Sequence, residues 1–299
     1  MNTTSGAAVR SRAPVACALR WSAGSLRFEF VSPHPEVLDR ARVVFGPWLN
    51  GSSATGPAPP AQFRIEREDD PGRRWRVIRD GQELSVSESL DLALAAVEYG
   101  AIARLHEPGS EVLGVHSALL SRDGAGILLV GPKESGKSTL ACALWRSGWR
   151  LHSDDNALIE DGARARGIPR RVSLRTTSRP LVGAELWERI LRLPGTTRTR
   201  FGVLFHPSEA AREDGPSDVP VTAIAFLARR GANSGPGRVE ALDAGRALLA
   251  LAPYSSRRER GIGHALEALQ PLAHRAPAFD LGRGPLSDMM ARLEEITTA

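Results

Sequence analysis

A mixed α/β fold in two parts is what this 299-residue sequence predicts, and three observations predict it. From about residue 112 onward, apolar runs, glycine turns and helically spaced segments alternate, the pattern of a mixed sheet covered by helices. Inside that stretch the string Gly131-Pro132-Lys133-Glu134-Ser135-Gly136-Lys137-Ser138-Thr139 directly follows the apolar run Gly126 to Val130 and leads into the helically spaced Ser138 to Trp145. Upstream, shorter strand-like pieces and two helical stretches read as a small α+β lobe. The break falls near residue 108, giving an N-terminal lobe over 1–107 and a nucleotide-binding domain over 108–299.

The small polar residues Met1 to Ala8 read as a frayed end. Strand-like runs follow at Val15 to Trp21, Ser25 to Val31, Gln62 to Glu66 and Trp75 to Arg79, the last closed by an Asp80-Gly81 turn. Pro35 to Phe45 reads as a helix, and Gly51 to Pro60 as a low-complexity loop. A second helix is expected over Ser87 to Leu105, where Leu90, Leu94, Val97 and Ala101 form an apolar stripe suited to docking the lobe onto the larger domain.

In that domain, Val112 to Leu120 is a strand that His116 ends or interrupts before the Arg122-Asp123-Gly124 turn. Arg150 to Ser153 is a strand ending in Asp154-Asp155, Ala157 to Glu160 another running to an Asp161-Gly162 turn, and Arg171 to Arg175 a third. Val219 to Ala228 is the most β-like run of the second half. Gly183 to Leu193, Ala244 to Ala252, His264 to Ala273 and Leu286 to Ile296 read as helices, with a strand at Ala278 to Leu281.

Composition narrows the function classes. Charged residues make up 24% and hydrophobic ones 42%, ordinary for a folded globular protein. The net charge of +5 rests on arginine, since Lys133 and Lys137 are the only lysines. The densest basic runs, Arg170-Arg171, Arg198 to Arg200 and Arg257-Arg258 with Arg260, carry no nucleic-acid motif, so no nucleic acid is expected as partner. Cys17 and Cys142 cannot build a disulfide scaffold or metal cluster, no run of about 20 apolar residues offers a membrane span, and arginines interrupt residues 1–24 where a secretory segment would lie. A cytoplasmic protein is expected.

The Gly131 to Thr139 string matches G-x-x-x-x-G-K-[ST], the P-loop pattern. In such a loop the backbone N–H groups wrap phosphate oxygens, Lys137 reaches the β and γ phosphates, and the Ser138 hydroxyl ligates Mg²⁺. ATP and Mg²⁺ are therefore the expected cofactors. Asp155 follows 18 residues after Lys137, and the adjacent carboxylates at a strand end suit two tasks. Of Asp154 and Asp155, one can hold the hydrated Mg²⁺ and the other can accept a proton from an attacking hydroxyl.

His116, the loop, Ser147-Gly148-Trp149-Arg150-Leu151, Asp154-Asp155 and the string Pro169 to Arg175 together resemble the C-terminal catalytic domain of HPr kinase/phosphorylase, and more closely the bacterial HPr-kinase-related serine kinases. The resemblance spans roughly residues 112–175 and implies a P-loop domain of HPr-kinase/PEP-carboxykinase-like type. It implies phosphoryl transfer from ATP to a serine or threonine hydroxyl of a small protein or peptide, with Asp155 as general base, His116 assisting it, Lys137 clamping the transferred group and Ser138 on Mg²⁺. The chain departs from the family at Lys133-Glu134, where a glycine is usual, and at Arg164 or Ala165, where a metal-binding glutamate is expected before Arg166-Gly167. The glycine-rich docking loop of HPr kinases is not evident, so neither HPr nor reversibility is carried over. Thr196 to Phe201 offers arginines as charge-stabilising or solvent-facing groups. A small-molecule hydroxyl kinase and a non-catalytic ATP-binding regulator stand as alternatives, and a homo-oligomer is left open.

Overall fold

Hydrogen bonding divides the described residues into three sheets, in a computed structural model that describes residues 18–23, 26–49, 60–68, 74–107, 112–160, 162–168, 170–207, 218–227 and 238–298. The expected frayed start, Val15 to Cys17, Ser25, nearly all of the Gly51 to Pro60 loop, and Pro108, Gly109, Asp161, Pro169 and Ala228 lie outside the described residues.

The first sheet has the order β1 (Ala18–Ala23), β2 (Leu26–Val31), β3 (Ala61–Arg67), β4 (Trp75–Arg79), β5 (Gln82–Ser87). The β2–β3 pairing is parallel and is bridged by α1 (Pro35–Leu49), while the other pairings are antiparallel. Asp80 and Gly81 both adopt positive φ, the two-residue turn geometry that matches the twist of a hairpin. Alternation along β3 buries Ala61, Phe63 and Ile65 against α1 and α2 (Leu90–Ala103), forming one apolar cluster with Trp21, Phe30 and Val77.

Two expectations about this lobe are revised. The segment entering the second helix is strand β5 up to Ser87, and the helix begins at Leu90, where the Ser89 hydroxyl caps Leu92 N–H at 3.3 Å. The stripe Leu94, Val97 and Ala101 packs mainly in the lobe's own core. Docking falls instead to polar residues on the same helix, joined by Leu158 and Ile168, which the larger domain adds to that core.

The second sheet, nine-stranded among the described residues, runs β6 (Leu113–Val115), β10 (Ala157–Glu160), β11 (Arg164–Gly167), β15 (Asp218–Leu227), β8 (Ala125–Val130), β7 (Ser117–Arg122), β9 (Arg150–Ser153), with β17 (Ala278–Leu281) also on β15 and β16 (Val239–Leu242) on β17. The β8–β15 and β15–β17 pairings are parallel and the rest antiparallel, so the sheet is mixed. Its faces alternate residue by residue. Leu120, Ile127, Leu129 and Ala225 face α3 (Lys137–Arg146), α5 (Ala184–Arg192) and α8 (Leu286–Thr298), whereas Leu119, Leu128, Val130 and Ile224 face α6 (Ala244–Leu251) and α7 (Ile262–Arg275). A short third sheet, β12 (Val172–Arg175), β14 (Gly202–Phe205), β13 (Thr197–Thr199), closes over α3 beside the small helix α4 (Arg179–Val182).

Buried polar contacts tie the lobe to the larger domain. Glu98 of α2 and Arg171 form an ion pair with side chains only 2% and 0% exposed, and His206 Nε2 lies 2.6 Å from the α1 carbonyl of Val44.

Candidate active site

Antiparallel pairing brings three distant segments to one end of the sheet. Ser117 opens β7 opposite Val130, the last residue of β8, and Leu119 lies opposite Ser153, the last residue of β9. His116 just before β7, the glycine loop just after β8 and Asp154-Asp155 just after β9 must therefore meet. His116 interrupts what the sequence suggests as one strand. Preceding it, β6 pairs with β10, and following it, β7 pairs with β8 and β9, so His116 sits where the chain changes neighbours.

The loop from Gly131 to Gly136 joins β8 to the N-terminus of α3. A Cβ on Gly131 would lie 2.9 Å from Ser135 Oγ and 3.0 Å from the Leu227 carbonyl, so the close approach of the loop to this strand end favours glycine. Gly136, the helix N-cap, has φ +99°, again a glycine conformation. Lys137 is buried, and its Nζ donates to the carbonyls of Gly131 at 2.6 Å and Pro132 at 3.2 Å. Burial lowers its pKa while Asp155 and Asp154 pull the other way. The Ser135 hydroxyl is buried without a hydrogen-bond partner, a polar atom facing the inside of the loop.

Lys133 and Glu134 sit on the outer, exposed side. Glu134 takes φ +69°, and its carboxylate pairs with Arg175 at 2.6 Å between side chains 63% and 50% exposed. The Thr139 hydroxyl lies 2.8 Å from Ser178 Oγ, engaging the turn after β12.

The adjacent carboxylates occupy contrasting surroundings. Asp154 is 4% exposed; its Oδ2 accepts from Ser138 Oγ at 3.2 Å and from Ser173 N–H at 2.9 Å. Burial pushes its pKa up to about 6, with Arg170 opposing and Asp155 reinforcing the rise. Asp155 is about one-third exposed: His116 Nδ1 lies 3.2 Å from its Oδ1, while Arg170 Nη1 and Asn156 Nδ2 donate to its Oδ2. Burial lowers the His116 pKa against the pull of Asp155, favouring a neutral ring. The bend carrying both aspartates is fixed by Ser153, whose Oγ bonds Asn156 at both its carbonyl and its N–H.

His116, Gly131, Ser135, Lys137, Ser138, Asp154 and Asp155 thus gather at one sheet end, whereas Lys133 and Glu134 face outward and Thr139 engages Ser178. Arg170 gathers there too, although the sequence signals it only as part of a basic pair and of the Pro169 to Arg175 string. Arg198 and Arg200 lie on the exposed β13–β14 hairpin, where Arg200 stacks 4.5 Å over the Phe201 ring. That hairpin returns at Gly202, paired with Arg175 of β12.

Among the described residues no group of three or more His, Cys, Asp and Glu side chains could by itself hold a metal ion. Ser138 and Asp154 still fit Mg²⁺, which usually takes one or two protein oxygens and completes its shell with phosphates and water. The unpartnered Ser135 hydroxyl and the Cβ-free turn at Gly131 likewise fit a phosphate cradle.

No helix among the described residues is long and apolar enough to cross a membrane. The sequence profile of the family described as "SynChlorMet cassette protein ScmC" matches residues 91–172, a segment running from α2 into the start of β12. No curated protein matches this chain. Among solved structures, the chain is similar to the Hpr(Ser) kinase/phosphatase from Coxiella burnetii, at 16% identity and a TM-score of 0.30, over 62% of this chain and 97% of that one.

Proposed function

We propose that this protein is an ATP-dependent phosphotransferase that moves the γ-phosphate onto a serine or threonine hydroxyl of a small protein or peptide. The observation that carries the reading is the meeting of a glycine loop, a buried lysine and two unlike carboxylates at one sheet end, with Ser138 and Asp154 3.2 Å apart and Asp155 beside His116. A phosphate loop alone serves many functions; a second carboxylate kept partly open beside it is what proton removal from an acceptor requires.

In this reading the N–H groups of residues 132–137 and the Ser135 hydroxyl bind the phosphates, and Lys137 leaves its loop carbonyls to neutralise the transferred group. Ser138 and Asp154 would hold Mg²⁺, which supplies charge neutralisation at the phosphate oxygens. Asp155, held in orientation by His116 and Arg170, takes the acceptor hydroxyl's proton, because that hydroxyl is a weak nucleophile at its own pKa. Incubation with γ-labelled ATP, Mg²⁺ and a panel of serine and threonine peptides tests it. Transfer by the wild type that falls by at least about 100-fold in Asp155→Asn is the expected result. ATP binding without transfer or hydrolysis under any condition would replace this reading with that of a nucleotide-binding regulator.

A further inference from the structure

The chain contains only two tyrosines, and they lie against His116 and Arg170, which with Asn156 hold Asp155. The Tyr254 ring stacks on His116 with centroids 6.4 Å apart, and its carbonyl accepts the His116 N–H at 2.8 Å. The Tyr99 ring carries the Arg170 guanidinium 4.6 Å above its centroid, and its hydroxyl accepts from Arg170 Nη2 at 3.1 Å. Tyr254 belongs to the larger domain, but Tyr99 stands on α2 of the N-terminal lobe.

Tyr99 does not act alone. The preceding residue, Glu98, is buried and receives Arg171 through its backbone N–H at 3.0 Å, Nε at 3.1 Å and Nη2 at 2.9 Å. Arg171 in turn donates to Thr197 Oγ1 at 2.6 Å and to the Gly195 carbonyl at 3.1 Å. Two consecutive residues of α2 thus hold two consecutive arginines. Successive side chains on a helix point about 100° apart, which lets Glu98 face inward while Tyr99 stays half exposed at the rim.

We propose that the N-terminal lobe positions the proposed catalytic base: Tyr99 is a positioning residue that fixes Arg170, and through it the Asp155 carboxylate, while Glu98–Arg171 locks the same strand entry to α2. The inference rests on the phosphotransfer reading for its kinetic consequence and on geometry for the latch itself. An arginine side chain has much rotamer freedom to lose, and a ring to stack on restricts it before any acceptor arrives. Without that ring Arg170 is free to leave Asp155, and misplacing a reacting group by about 1 Å costs up to about 100-fold in rate. The hydrogen bond and ring contact of Tyr99 both go to Arg170 and not to the glycine loop, so nucleotide affinity should not follow.

The test uses the full chain in four forms: wild type, Tyr99→Ala, Tyr99→Phe and Arg170→Lys. Transfer to the serine and threonine peptides, and inorganic phosphate release from ATP, should show kcat lowered about 10- to 100-fold in Tyr99→Ala and Arg170→Lys, with KM for ATP within about twofold. Tyr99→Phe, which keeps the stacking ring, should restore most of kcat. Crystal structures of wild type and Tyr99→Ala form the second arm, and in the variant the guanidinium of Arg170 should have left Asp155. An unchanged kcat in Tyr99→Ala, a fall in which KM for ATP rises in step, or an Arg170 still seated on Asp155 overturns the proposal. A wild type that transfers phosphate to neither peptide nor water defeats the phosphotransfer reading, whereas the position of Arg170 in Tyr99→Ala still decides the latch.

Discussion

Replacing Asp154 by Asn should make the metal-free protein more stable at neutral pH and no more stable in acid. Burial pushes this carboxyl from 3.8 up to about 6, against the opposing pull of Arg170 and helped by Asp155. A carboxyl whose folded value lies above its unfolded one holds its proton more tightly in the native state. Its contribution to stability is therefore complete below about pH 3.8 and is lost as pH rises through about 6. At about 1.4 kcal/mol per pH unit, the gap between the two values corresponds to about 3 kcal/mol of stability absent from the wild type at about pH 7.5. Asparagine keeps an oxygen for the Ser173 N–H and carries no charge to desolvate. Urea unfolding without nucleotide or Mg²⁺ should thus show Asp154→Asn ahead by about 3 kcal/mol at about pH 7.5, and level with the wild type near pH 4. A stability difference that is the same at both pH values, or a variant weaker at pH 7.5, would refute the argument that desolvation of this charge is what the fold tolerates for the sake of the site.

Glu98→Ala leaves the Arg171 guanidinium buried without its carboxylate and should cost about 3–5 kcal/mol in urea unfolding, because an unpaired buried charge is far more expensive than a lost surface pair. Glu98→Gln, which retains hydrogen-bonding capacity, should lose less. Glu134→Gln should change ATP affinity by less than about threefold in titration calorimetry, since Glu134 is paired outward with an exposed arginine and such pairs are worth about 0–1 kcal/mol. A tenfold gain in affinity would mean that the carboxylate faces the triphosphate.

What the sequence made legible was what chemistry constrains at short range. The glycine loop, its lysine and serine, and the Asp154-Asp155 pair are readable because each demands a residue type at a fixed spacing. His116 was legible only through its place relative to them; the antiparallel course of β7, which delivers it to the ends of β8 and β9, leaves no local signal. Arg170 was obscured for the same reason: its contacts lie 15 residues away at Asp155 and 71 away at Tyr99. Strand β5 escaped because an exposed edge strand has no buried face to impose apolar alternation, and its Ser87 runs into the helix cap. The apolar stripe of α2 was correctly a packing surface, but periodicity cannot say which neighbour it packs on. The lobe's own sheet won because it lies next in the chain, leaving the charged Glu98 to reach across to Arg171.

The two neighbouring aspartates could exchange roles on sequence grounds, but their surroundings separate them. Asp154 is enclosed, and its Oδ2 already meets Ser138 Oγ, the hydroxyl through which a phosphate loop holds its metal. Asp155 is open to the extent of 32% and is oriented from both sides by His116 and Arg170. A proton acceptor must be reachable by a macromolecular hydroxyl, and a metal ligand need only be reachable by the ion. The division predicts opposite results for two nearly isosteric variants. Mn²⁺ binding in the presence of a non-hydrolysable ATP analogue, followed by electron paramagnetic resonance, should weaken about 10-fold or more in Asp154→Asn and change less than about threefold in Asp155→Asn. Transfer, by contrast, should be lost in both. If Asp155→Asn weakened Mn²⁺ as much as Asp154→Asn, the two carboxylates would share the metal, and the base would have to be sought elsewhere, with the neutral His116 ring as the nearest group able to take a proton.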